Sequence, residues 1–352
     1  MKNKYVKIPF LAGAKYENKI YFSSLYVNGL FEYDCGTKVC KYLMKFDEKN
    51  LTSMLHRKAA IFENQIWFMP WEARKIARYD ITNNKMTYYD VGCKEGTLLY
   101  FDYARYDNML FFIPYANNIP IAIIDVKHNI VNLINGISEK EHIAGAGYYN
   151  NKLLLVSQTG NILIKNIKNN VLEKVIDTRI NTKEFGYLTV IDAQNTMVLC
   201  PFEADKIVII DKVNETVTNS VNYNGGRYSY GKKNIDCISM YPTEFNRCIM
   251  LFDEKQKIEY KRLELNLKED FYLEMMNIDC MDGKTNLVAT NEGSILEYDN
   301  EWNLIQNFET MIDRDDYNLQ LIKNFDRGSF ATQENCIEKN NFDLDIFLKT
   351  ML

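Results

Sequence analysis

Histidine is the side chain best suited to moving protons near neutral pH, and this chain has only three. Two of them stand at matching places. His56 (LHRKAA) and His142 (EKEHIAG) precede an asparagine of a recurring motif by eight or nine residues, as do Tyr100 (LLYFDYA) and Tyr187 (FGYLTV). A pair of neutral imidazoles, with Glu141 beside His142, has the makings of an acid–base or metal site. The opposing reading is that both histidines hydrogen-bond within the fold, and it is favoured, because the two fall in repeats that are not neighbours. No metal and no cofactor is therefore assigned.

A second set of chemistry-bearing residues lies in three loops of one form: FMPWEARKI (68–76), FIPYANNIP (112–120) and LCPFEADKI (199–207). Each places an aromatic after proline: Trp71, Tyr115 and Phe202. Charged or amide groups follow at Glu72, Arg74, Asn117 and Glu203. Such loops can pack against their own fold, or they can present rigid aromatic area with polar handles to a partner. Residues flanking the histidine and tyrosine positions, Arg57 and Asp102, join this candidate surface. So do Arg227 and Tyr228 of the long connection SVNYNGGRYSYGKKN (220–234), whose glycines, tyrosines and arginine suit recognition. No nucleophile elbow, phosphate loop, zinc-protease or calcium-loop motif is found.

These positions matter only if something repeats to align them. YENKIYF (16–22), FENQIWF (62–68), YDNMLFF (106–112) and YNNKLLL (149–155) share an Asn before an apolar run, and AQNTMVL, EFNRCIM and KTNLVAT continue the series. The anchors Asn18, Asn64, Asn108, Asn151, Asn195, Asn246 and Asn286 are 46, 44, 43, 44, 51 and 40 residues apart, a mean of 44.7. Asn tolerates the positive φ of a tight hairpin turn. A second anchor, the Asp closing LFEYD, IARYD, IAIID, IVIID and ILEYD, follows its Asn by 13–17 residues and opens another turn. Four short strands per unit result.

Four antiparallel strands in 40–50 residues resemble a β-propeller blade. The unit is similar to kelch-like repeats but lacks their Gly-Gly doublet, and it lacks the Gly-His and Trp-Asp of WD repeats. The resemblance implies an all-β single propeller of four-stranded antiparallel blades over residues 1–341, its N-terminal strand (4–10) closing the last blade. Eight periods of 44 residues fill the 352-residue chain, so eight blades are expected, with seven the alternative. The last residues, NFDLDIFLKTML, predict an amphipathic helix over 342–352 packed on the propeller.

Composition bounds the function. A net charge of −5 argues against a sequence-blind grip on nucleic acid. No apolar run reaches a membrane span or a secretory signal. The eight scattered cysteines fit buried thiols, and the Asn/Lys/Ile-rich usage fits an AT-rich bacterial genome. The expectation is a cytoplasmic, non-enzymatic binding module that offers a loop face around a central channel to a protein or peptide. The alternatives are a lyase or hydrolase acting on a small molecule or carbohydrate at the channel mouth, and a carbohydrate or metabolite binder.

Overall fold

A computed structural model of the chain describes residues 4–25, 27–48, 54–94, 97–116, 118–136, 142–178, 184–222, 227–234, 237–244, 248–253, 258–264, 273–280 and 286–323. The fold is all-β: seven antiparallel blades of the β-propeller class are described, with one short helix, Arg314–Lys323. The chain divides into two compact units, residues 1–90 with 278–352, and residues 91–277.

The first unit holds three blades. Blade 1 comprises Phe10–Tyr16, Lys19–Ser24, Leu30–Asp34 and Val39–Met44; blade 2 comprises His56–Phe62, Gln65–Pro70, Lys75–Asp80 and Lys85–Asp90. Blade 7 is Asn286–Thr290, Ser294–Tyr298 and Leu304–Glu309, and the short strand Asp279–Cys280 pairs parallel with the inner strand of blade 1. The N-terminal strand Tyr5–Lys7 pairs antiparallel with Met311–Asp313, which follows blade 7.

The second unit holds blades 3 to 6. Their inner strands are Tyr100–Tyr106, Ile143–Tyr149, Tyr187–Asp192 and Tyr228–Lys233. Their second strands are Met109–Pro114, Lys152–Ser157, Thr196–Pro201 and Ile238–Glu244. The third are Ile121–Asp125, Ile162–Asn166, Lys206–Asp211 and Cys248–Asp253, and the outer ones Ile130–Ile134, Val171–Ile176, Thr216–Asn222 and Ile258–Glu264.

Why the strands arrange this way follows from their faces. The second strand of blade 4, KLLLVS, is buried at consecutive positions, because Leu153 and Leu155 on one face pack with blade 3 while Leu154 and Val156 on the other pack with blade 5. The outer strands of blades 3 and 4 are mostly exposed, with Ile130 and Val171 about half exposed at their starts. Small residues let inner strands approach closely. A Cβ on Gly145 would lie 2.7 Å from an Asp102 carboxylate oxygen and 3.0 Å from Val190 Cβ.

The two sequence anchors meet in space. The carbonyls of Asn18, Asn64, Asn108, Asn151 and Asn195 accept the backbone N–H of Cys35, Ile81, Val126, Ile167 and Lys212, each just past the third strand of the same blade. The positive φ expected at the Asn falls instead on the residue before it, at Glu17, Glu63, Asp107 and Asn150; only in blade 4 does the anchor, Asn151, share it. The Asp anchors cap the next turn. Asp34 accepts the N–H of Gly36 and Thr37, and Asp211 that of Val213 and Asn214, which holds both carboxyls below the usual range.

Two expectations shift. Seven blades are described rather than eight, and a helix follows the seventh: Asp313 caps Arg314–Lys323 by accepting the N–H of Asp315 and Asp316. The stretch expected as the terminal helix (342–352) lies outside the described residues.

Candidate functional site

Six of the inner strands share one irregularity, and it fixes where the candidate residues point. A bulge follows the strand's leading residue: Phe10, His56, Tyr100, Ile143, Tyr187 and Tyr228 pair with the end of the second strand, and the next residue is skipped. In four blades the leading residue faces a proline, Pro70, Pro114, Pro201 or Pro242. Proline suits a strand end because it has no N–H to donate. The backbone N–H after it, on Trp71, Tyr115, Phe202 or Thr243, then bonds the carbonyl of the residue just before the inner strand: Leu55, Leu99, Gly186 or Arg227.

Leading residues are buried. Tyr100 and Tyr187 have no exposure and Tyr228 has 1%. Burial raises the Tyr100 and Tyr187 phenols, and the Tyr187 hydroxyl donates to the Lys206 carbonyl at 3.1 Å. Tyr228, placed by sequence in a recognition loop, instead opens the inner strand of blade 6. In register, Ile143 rather than His142 matches His56, because the asparagine count is one residue longer in blade 4.

In the first unit His56 is 1% exposed and packs between Phe46 and Phe68, with ring centroids 4.3 and 5.3 Å away. Its Nδ1 has no hydrogen-bond partner among the described residues, and burial lowers its pKa to about 3, so the ring is neutral at pH 7. The skipped residue Arg57 lays its guanidinium over Trp71, 5.4 Å from the ring centroid. Glu72 and Arg74 are half-buried. One carboxylate that the sequence reading missed organises this loop: Glu48 Oε1 accepts the N–H of Arg74 at 3.0 Å and of Lys75 at 3.2 Å. Glu48 falls between repeat anchors, so periodicity carries no signal for it.

The second unit offers a more open arrangement. Tyr115 is half-buried, packs on the skipped residue Phe101 at 5.4 Å, and stacks on His142 at 4.5 Å and 17°. His142 Nδ1 lies 3.3 Å from the Tyr115 carbonyl oxygen. Two blades on, Phe202 carries the Arg227 guanidinium 5.1 Å from its centroid, and Arg227 pairs with Glu203 at 3.1 Å. Each aromatic thus meets a nitrogen-bearing group from just before the next inner strand. Between these stacks, in blade 4, the same position is Gln158, whose backbone N–H bonds the His142 carbonyl.

Asp102 is 3% exposed and takes a different part. Its Oδ1 accepts the N–H of Tyr103, and its Oδ2 accepts the Thr189 hydroxyl at 3.2 Å, so it joins blade 3 to blade 5 across Gly145. Asn117 and Glu141 lie outside the described residues, as do Tyr223 to Gly226. Among the described residues no three His, Cys, Asp or Glu side chains gather as a metal-ligand group. Among the described residues no helix is long and apolar enough to cross a membrane.

No protein-family model matches the chain, and no curated protein does. Among solved structures, the crystal structure of the computationally designed Ika8 protein is similar over 86% of this chain and 87% of that one, with a TM-score of 0.60 and 10% identity. At that identity the likeness is one of fold alone.

Proposed function

We propose that the chain is a non-catalytic binding module that receives a protein or peptide partner on the loop face of blades 3 to 6. The carrying observation is the pair of half-buried aromatics, Tyr115 and Phe202, each held by the backbone bond after its proline and backed by His142 or Arg227. Fixed aromatic area beside an arginine is the composition of interface hot spots, since little side-chain entropy remains to be lost on binding. The Arg227–Glu203 pair beside Phe202 adds charged groups of both signs that a peptide can read.

The test is selection of peptides from a random library on the immobilised chain, followed by affinity measurement against variants. Phe202→Ala and Arg227→Glu should each weaken selected peptides by at least about tenfold, with the melting temperature preserved. Peptides that bind both variants as tightly as the parent, or a library that yields none, would remove this reading.

A further inference from the structure

An outer strand leaves one row of backbone N–H and C=O groups with no strand beside it, and folds guard such edges with charges or bulges. Five of the seven described outer strands carry a bulge against the third strand of their blade. The residue skipped is Leu43, Glu173, Thr218, Tyr260 or Ile305, in blades 1, 4, 5, 6 and 7. Blade 2 has no bulge there, but Lys85 and Asp90 stand exposed at the two ends of its outer strand, and the residues between them are half-buried.

The outer strand of blade 3, Ile130–Ile134, has neither protection. It pairs with Ile121–Asp125 without a break in register and ends its sheet. Its sequence, IVNLI, contains no charged residue. Ile130 and Leu133 are 49% and 41% exposed, and Asn132 is exposed as well.

The occupant is written in the same residues. Positions 129–135 read NIVNLIN, so the chemical classes recur in the same order in either direction from Asn132. A twofold interface demands that, because each surface must complement itself. In an antiparallel pairing centred on Asn132, Ile130 meets Ile134, Val131 meets Leu133, and Asn132 meets its own copy. Each of those amides offers donors and an acceptor to its twin. His128 falls opposite Gly136, so no like charges are opposed along the paired stretch.

We propose that the chain pairs with a second copy of itself through Ile130–Ile134, antiparallel and centred on Asn132, so that two four-stranded blades join into one eight-stranded sheet. The inference does not depend on the peptide reading of the loop face.

Sedimentation of the full chain over a concentration series tests it, and a monomer–dimer equilibrium is expected. Asn132→Lys sets two ammonium groups against each other at the axis and should raise the dissociation constant at least about tenfold. Val175→Lys, at an exposed position on the bulged edge of blade 4, should leave it unchanged. Under oxidation Asn132→Cys should give a disulfide between residue 132 of two chains, identified by mass spectrometry, since directly opposed Cα atoms lie about 4.5–5.5 Å apart. A monomer up to roughly 1 mM would leave the edge to a strand of some other protein. That result, a dimer indifferent to Asn132→Lys, or a disulfide from residue 132 to another position would each overturn the proposal.

Discussion

Asp192 is pulled in opposite directions by its neighbours in the second unit. Burial raises its pKa to about 6 and the nearby Asp102 adds to the rise, while the Lys212 ammonium at 2.6 Å and the Tyr148 N–H at 3.1 Å oppose it. Lys212 also donates to the Tyr148 carbonyl, so the cluster ties blade 5 to blade 4. A carboxyl near 3.9 when unfolded and near 6 when folded binds its proton more tightly in the folded state. Its contribution is fully present below about pH 4, is lost as pH rises through 6, and is constant above that. Relative to the parent, Asp192→Asn should flatten the pH dependence of unfolding between pH 4 and 6 by about 1–3 kcal/mol. It should also lower stability at pH 7, where Lys212, 3% exposed, loses its counterion. Urea melts of both proteins across that range decide it, and parallel curves would sink the claim. Gln158 offers a simpler case. It is 2% exposed, and neither amide atom has a partner among the described residues. Gln158→Leu should therefore stabilise by about 1–3 kcal/mol, read as a rise in the urea midpoint. Neither residue was legible in sequence: a glutamine in an aromatic series and an aspartate at a strand end carry no sign of their burial.

At the scale of elements, much was legible because the repeat is local chemistry. The Asn and Asp anchors mark two turns that the Asn carbonyl joins in each of five blades, so both recur at one period. What failed has physical reasons. Positive φ passed to Glu17, Glu63 and Asp107, the first positions of these two-residue turns, while the backbone carbonyl of the following Asn accepts the bond that joins the two turns. The connection 220–234 read as a loop, yet Thr216–Asn222 and Tyr228–Lys233 take up most of it as strand, since Tyr228 and Tyr230 fill positions between blades. The helix Arg314–Lys323 hid behind an expected eighth period. Loop organisation can be checked through Glu48, whose carboxyl burial raises while two N–H groups lower. Glu48→Ala should speed hydrogen exchange at the Arg74 and Lys75 amides by about tenfold or more, and Glu48→Gln, which keeps an accepting oxygen, should not. Equal exchange in all three proteins would show that the loop holds itself.

For the molecule as a whole, the composition acquires a cause in its stacking. Phe10, Phe22, Phe31 and Tyr42 run across blade 1 with successive centroids 5.1, 5.5 and 5.4 Å apart, one aromatic from each strand. Blades built this way resemble repeat arrays, in which stability is close to a sum of units and of the interfaces between neighbours. In the first unit the strand Tyr5–Lys7 is joined to the segment that follows blade 7. Ile8 donates its N–H to the Thr310 carbonyl at 2.8 Å, and the buried Thr310 hydroxyl lies 2.5 Å from the Ile8 carbonyl and 2.9 Å from that of Gly293. Lys7 reaches Glu309 at 2.8 Å and Ser294 at 3.0 Å. Gly293 adopts φ +80°, and a Cβ there would sit 2.3 Å from the Ile8 oxygen. Thr310→Val keeps shape and removes the hydroxyl donor to the Ile8 carbonyl, while the Gly293 carbonyl keeps the Thr310 backbone N–H, so it should cost about 1–3 kcal/mol. Gly293→Ala should cost at least as much through clash and strain. Lys7→Ala, at the exposed edge, should cost under about 1 kcal/mol. If the join governs the first unit, Thr310→Val should raise amide exchange in Tyr5–Lys7 and Met311–Asp313 together, while the inner strands of blades 4 and 5 keep their protection. Exchange that rises evenly along the chain would mean that the loss is global and the join is not a separate seam.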